Sequence, residues 1–499
     1  MEQRKIGAIF SYINIFLKNI IYILYTPFLL RFLGHAEYGM YQLTIQIVST
    51  LSLLSLGFSG AYVKFFWKLK SGKKEDGDVR NLNGMYLLIF SIMSLISVIL
   101  GMVLIINVDH LFGATFSKSE IITTKILFSI MVCNVALTFP SSVFDSYIMA
   151  NQQFVFQQGR AILSTLLQPS LTIPMLYLGF KSIAVLTVQM IITIVFLIIN
   201  IRFAINKLNM KFKFTRFPQG LLRELTVFSG FLLINDVVDI VNNNVPSILV
   251  GSLVGAKAVA VYAIAIQIRT IFFQLSLSLS NVFVPKINQI VSTTNDNNEL
   301  LSLMKKVGRF QLLLLSIIYG GFIVLGQYFI NFWAGTGFNQ AYWMIVIMIF
   351  PVLVPLSQNV GIEIQRAKNL HQFRSVILGI LAIVNIVITY ILVKKIGVMG
   401  SIWGYIISIG LGNGIIINIY NHLKVGLDMF NYWKNVLPVT IPAVITTCIL
   451  LGIKIIFPIQ SFFSFILFGL IYVVLSALFT WPILLPQEKK IFIKKLKNK

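Results

Sequence analysis

Four ionisable groups stand where water is scarce. Lys18 lies inside "FSYINIFLKNIIYILYTPFLL", Arg269 inside "YAIAIQIRTIFF", and Asp236 and Asp239 inside "LLINDVVDIVNNNVPSILV". A charge at the centre of an apolar span costs at least about 2.5–3.5 kcal/mol, so each marks a candidate site. Arginine's planar fork suits bidentate contacts with phosphate, and lysine is a point charge of the same sign. Two carboxylates beside amide oxygens suit a hard cation, and a desolvated carboxylate can hold a proton instead.

Helical spacing groups these residues by face. Ser11, Asn14, Lys18 and Tyr25 share one face, and Arg269 shares another with Tyr262, Ser276 and Ser280. Ser229, Asp236, Asp239, Asn243 and Ser247 form a third stripe. We therefore expect Asn14, Tyr25 and Asn243 to line a wet cavity, and Lys18 and Arg269 to meet an anion there. Asp236 and Asp239 are expected to take Na+ or H+ as a coupling ion, or to form an ion pair with Lys18. Arg31 and Lys64, at the two ends of the first hairpin, are further candidates for anion contact or for lipid headgroups. Pro27 and Pro246 are candidate hinges, because proline frees backbone carbonyls and kinks helices. The roles of Lys125 and Asp145 stay open. No metal site is expected: Cys133 and Cys448 lie in apolar runs, and the four histidines lack ligand spacing. No catalytic residues and no cofactor motif stand out, so an enzyme is not expected.

The elements that must hold these residues follow from composition. Of 499 residues, 57% are hydrophobic and 11% charged, far below the roughly 25% of a soluble chain. Such a chain is expected to be an all-α, polytopic membrane protein. Fourteen apolar runs qualify as spans, from 10–33 to 461–485. The start is expected to be a first span that stays, not a cleaved leader. The net charge of +24 does not imply nucleic acid. Of the 40 Lys and Arg residues, 30 fall in segments on the amino-terminal side, 7 on the other side and 3 within spans. By the positive-inside rule both termini are expected to be cytoplasmic. No loop is long enough for a sizeable soluble domain.

A repeat organises the spans. "LGHAEYGMYQLTIQI" (33–47) shifted by 221 positions falls on "VGAKAVAVYAIAIQI", with Gly34 on Gly255, Tyr41 on Tyr262 and Gln46 on Gln267. Two six-helix lobes related by a pseudo-two-fold axis are expected, 1–222 and 223–425, with 426–499 adding two helices and a basic tail. Glycine at the repeated turn suits a sharp bend, and Tyr38 and Tyr41 suit the lipid–water interface.

The pattern Leu33-Gly34-x-x-x-Tyr38-Gly39-x-Tyr41, with "YIMANQQFVFQQGRAILSTLLQPSLTIPMLYLGF" and "QRAKNLHQFRSVILGILAIVNIVITYILVKKIGVMGSIWGYIIS", resembles the polysaccharide flippases. These are the O-antigen and capsule-type exporters of the multidrug/oligosaccharidyl-lipid/polysaccharide superfamily. The resemblance implies a flippase in the bacterial inner membrane, with a central cavity that opens to either side alternately. Its cargo would be an undecaprenyl-pyrophosphate-linked oligosaccharide, and a polysaccharide polymerase and a chain-length regulator would be partners. A lipid II flippase or a multidrug and toxin extrusion antiporter of the same superfamily is the alternative. A membrane glycan polymerase or ligase is less well supported, because the longest outer loop, 109–120, is too poor in catalytic groups.

Overall fold

The computed structural model describes residues 2–55, 58–70, 79–215, 237–238, 240–486 and 488–489. All regular structure among them is helical. Ten stretches are long and apolar enough to cross a membrane. Two of these, Ile13–Leu53 and Gln372–Val425, are 41 and 54 residues long and hold two crossings each. The helix Phe154–Tyr177, which runs continuously through Pro169 and Pro174, is a further candidate. Half of the expected span 225–250 lies outside the described residues. The architecture is thus an all-α, polytopic one compatible with fourteen spans.

The chain forms two compact units, Met1–Ala263 and Ile264–Lys499. The division falls within one helix, Ala256–Ser280, 41 positions beyond the expected lobe boundary at 222.

In the first unit the helices are α1 (Glu2–Ser49), α2 (Phe58–Lys70), α3 (Val79–Ile106), the short α4 (Val108–Phe112), α5 (Lys118–Ala150), α6 (Phe154–Tyr177), α7 (Lys181–Arg202) and α8 (240–253). α9 (Ala256–Ser280) follows directly. α3 packs on α5, α5 on α7, and α1 on α6. α5 starts with a full capping box, Ser117 and Glu120 satisfying each other's backbone N–H groups. Lipid tails are as apolar as leucine, so such helices associate through close packing and hydrogen bonds rather than burial from water.

The second unit continues with α10 (Val284–Thr293), α11 (Asn297–Trp333), α12 (Asn339–Ser357), α13 (Asn359–Ala367), α14 (Gln372–Ile396) and α15 (Ser401–Ile409). A π-helical stretch, Gly410–Ile416, leads to α16 (Ile417–Tyr420), then α17 (Met429–Val436), α18 (Ile441–Ile456) and α19 (Phe462–Ile483). α11 packs on α12 and α18, α14 on α15, and α18 on α19. One membrane-crossing path is discontinuous. It breaks at Gln358, three residues after Pro355, so α12 and α13 are separate helices.

Candidate functional site

The repeated turn is where sequence and geometry meet first. α1 kinks at Gly34, whose φ of 71° and ψ of 173° lie in a region essentially restricted to glycine. Its repeat mate Gly255 also has positive φ, 118°. α1 runs through Pro27 without a break, so the bend belongs to the glycine.

The residues after the bend have separate jobs. The Ser182 backbone N–H donates to Glu37 Oε1 at 3.0 Å and the Ser182 hydroxyl at 2.7 Å, while Lys181 Nζ lies 3.3 Å from Oε2. Glu37 thereby caps the start of α7, whose unpaired N–H groups favour a negative charge. Two residues on, a Cβ at Gly39 would overlap the carbonyl of Ala256, so this glycine permits the close approach of α1 and α9. It meets Ala260 too, the residue it matches in the repeat. Tyr38 and Tyr41 are 0% and 9% exposed. The expectation that they sit at the lipid–water interface is therefore corrected. Tyr38 turns its hydroxyl to the amide of Gln42, 2.8 Å away, and so satisfies itself inside the bundle.

Of the predicted cations, Lys18, Arg31 and Lys64 are exposed. The polar residues beside Lys18 face α6: the Thr165 hydroxyl donates to Asn14 Oδ1 at 3.3 Å, and Tyr25 lies beside Thr172. Pro246 is buried in α8 and Asn243 half-buried, while the neighbouring Asn244 donates to the Gln46 carbonyl at 3.0 Å. Asp236 and Asp239 lie outside the described residues.

Arg269 is 3% exposed, with its guanidinium 4.3 Å from the centre of the Tyr405 ring. Its face-mates Ser276 and Ser280 are buried too. Ser276 donates to the Leu356 carbonyl at 2.6 Å and accepts from Gln311 and Asn359 at 3.0 and 2.9 Å. That face binds the ends of the broken crossing: the carbonyls freed near Pro355 are met by Ser276 and, at Ser357, by Tyr432.

Several polar pairings escaped the sequence. Asp145, left open above, meets Arg160 at 2.7 Å and Asn200 at 3.2 Å, and Lys125 pairs with Asp109. Asn418 gathers Gln358 at 2.7 Å and the Trp433 indole at 2.8 Å, and donates to the carbonyls of Asn413 and Gly414 in the π-helical stretch. Arg309, 8% exposed, holds Glu488 through two nitrogens at 3.0 and 3.2 Å. Separations of up to 179 residues hide these pairings in the chain.

Among the described residues no three His, Cys, Asp or Glu side chains cluster as metal ligands. The described part of the site is a set of polar faces on helices.

Comparisons with known proteins place this architecture. A structure titled lipid II flippase MurJ, in an inward closed conformation, aligns over 98% of this chain and 99% of its own, with TM-score 0.73 and 19% identity. An inward-facing multidrug resistance MATE family transporter of the MOP superfamily aligns over 84% and 95%, with TM-score 0.60 and 11% identity. The Vibrio cholerae MATE transporter VcmN aligns over 86% and 99%, with TM-score 0.57 and 12% identity. These likenesses show a shared fold. Comparison of the sequence with curated proteins finds no match. The family model described as polysaccharide biosynthesis protein matches residues 28–342, from just before the bend at Gly34 to the first turn of α12. With that match covering well over half its length, the chain belongs to the polysaccharide biosynthesis protein family, and it shares its helical fold with the flippase and transporter structures above.

Proposed function

We propose that the protein is a flippase that carries an undecaprenyl-pyrophosphate-linked oligosaccharide across the bacterial inner membrane by alternating access. One observation supports a fourteen-span flippase over a twelve-span antiporter. The MurJ likeness extends over 98% of the chain, whereas the two MATE likenesses stop at 84% and 86%. The surplus fits two helices beyond a twelve-span transporter, and the polysaccharide family supplies the glycan.

In this reading both termini are cytoplasmic, 1–222 and 223–425 are the moving lobes, and 426–499 is accessory. Lys18 is the first candidate for the pyrophosphate, because it is exposed within an apolar span. Arg31 and Lys64 are also exposed and extend the positive field toward either end of the first hairpin. Arg269 would reach the cargo only by leaving Tyr405, so its contribution belongs to another state of the cycle. Asn14, Tyr25 and Asn243 contribute polar walls, Asp236 and Asp239 take the coupling Na+ or H+, and Pro27 and Pro246 bend. A polymerase and a chain-length regulator would receive the product.

The test is transfer of a fluorescent lipid-linked oligosaccharide across reconstituted vesicles, with lipid II and a cationic drug run in parallel. Transfer of the oligosaccharide that collapses with the ion gradient supports the reading. Transfer of lipid II alone, or of the drug alone, overturns it in favour of the corresponding relative.

A further inference from the structure

A cleft of about 490 Å³ opens in the second unit between α11, α12 and the α17–α18 segment. Its α11 wall is a stripe of Leu312, Ser316, Tyr319 and Ile323, and its opposite wall includes Leu437, Val444 and Cys448. The hydroxyl and indole donors in these walls are given to protein acceptors. Ser316 donates to the Leu313 carbonyl at 3.0 Å and Tyr319 to that of Val346 at 2.9 Å. Thr440 donates to Leu437, Thr447 to Ala443, and the Trp433 indole to Asn418. A ligand with acceptor groups would find none of these donors open to it, and among the described residues no charged side chain lines the walls. The cleft suits an aliphatic chain.

Its length and volume select which chain. From Leu437 to Cys448 the path rises roughly 17 Å at about 1.5 Å per residue, against about 15 Å for half of the hydrocarbon core. The cleft is therefore about one leaflet deep. Toward the far end Gly320 lies against Thr447 and Tyr472, and a Cβ there would overlap both hydroxyls, so α11 approaches α18 and α19 closely. A volume of about 490 Å³ fits a phospholipid acyl chain better than a long polyprenyl chain.

The rim is basic. Lys305 stands seven residues before Leu312 on the same face of α11, and its Nζ lies 3.5 Å from Asn431 Oδ1 on α17. Lys434 is exposed, beside the lining residue Trp433 and three residues before Leu437. Glu488 is paired with Arg309, and Asp428 caps the start of α17 by accepting from the Asn431 backbone N–H. Exposed Phe430 and half-buried Trp433 give α17 the amphipathic face of an interfacial helix.

We propose that this cleft is a binding site for an anionic phospholipid of the leaflet on the basic-loop side. One acyl chain lies in the cleft, and the phosphate sits between Lys305 and Lys434. It rests on the orientation proposed above, and not on any cargo.

The test uses the full-length protein in phosphatidylcholine vesicles doped with phosphatidylglycerol brominated on its acyl chains. Quenching is read as the fluorescence difference between the protein and its Trp433→Phe variant. Brominated phosphatidylglycerol is expected to quench at a mole fraction about 25-fold below that for brominated phosphatidylcholine, about fivefold for each lysine. Lys305→Gln with Lys434→Gln should bring the ratio near one, and Ser316→Leu should reduce quenching by filling the cleft. The two lysine changes are at the surface and keep the test readable if Ser316→Leu misfolds. Equal quenching by both lipids, or a ratio unmoved by the lysine changes, overturns the proposal. So does displacement of the brominated lipid by undecaprenyl phosphate at lower mole fraction, which would give the cleft to a polyprenyl chain. None of these outcomes depends on whether oligosaccharide is transported.

Discussion

Arg309→Ala is the perturbation whose cost can be built most directly from the structure. The guanidinium donates four times: to both oxygens of Glu488, to the Asn435 carbonyl at 2.6 Å and to the Ile483 carbonyl at 3.3 Å. It thus ties α11 to the end of α17, the end of α19 and the segment beyond. Removing one partner of a buried pair costs about 3–5 kcal/mol, mostly by stranding the other charge. Glu488 has a side-chain exposure of 23% and keeps the Leu485 N–H at 2.7 Å, so water and backbone recover part of this. A loss of about 3 kcal/mol follows, or roughly a hundredfold in the opening equilibrium of the α18–α19 hairpin. Hydrogen exchange of amides in α17 and the last turns of α19, in detergent, measures it. Glu488→Gln should cost less, and the double variant should show coupling of about 2 kcal/mol. Burial alone raises the Glu488 carboxyl, but bonds from Arg309 and the Leu485 N–H outweigh it and leave the group below its usual value. Its stabilising share is therefore complete above the ordinary glutamate pKa and is lost as pH falls through the lowered one. Protection unchanged within about threefold of the parent, or additive single variants, would refute the reasoning.

Gly34→Ala forces a side chain into backbone space reserved for glycine and should cost about 1–3 kcal/mol, seen as a lower thermal midpoint in detergent. Gly39→Val should push α1 from α9 and lower stability by about 1–3 kcal/mol, whereas an intact midpoint would deny the close contact. Glu37→Gln should weaken the α7 start by about 0.3–1 kcal/mol, measured as faster exchange of the first α7 amides. Lys18→Ala should abolish rescue of a glycan-export defect while the protein stays inserted, and normal rescue would remove Lys18 from the mechanism. Thiols introduced by Glu75→Cys and Ala114→Cys should label from opposite sides of the membrane, and same-side labelling would break the proposed orientation.

The sequence by itself determined the environment, the helical class and the place of the sharp turn. Charge is too scarce to face water, apolar runs of this length must be helical in lipid, and glycine recurs at 34 and 255 because few residues reach positive φ. Those are local constraints, carried by each segment alone. What only the tertiary structure decided was which polar groups meet. Tyr38 and Tyr41 looked like interface anchors but are buried, because Glu37 and Gly39 draw their turn against α7 and α9. Arg269 looked like an anion ligand, yet Tyr405, 136 positions on, covers it. Arg309 and Glu488, or Gln358 and Asn418, carry no mark of each other in the chain. In lipid a polar side chain must find a partner somewhere, so the sequence announces the need, and only the packing of distant helices names the partner.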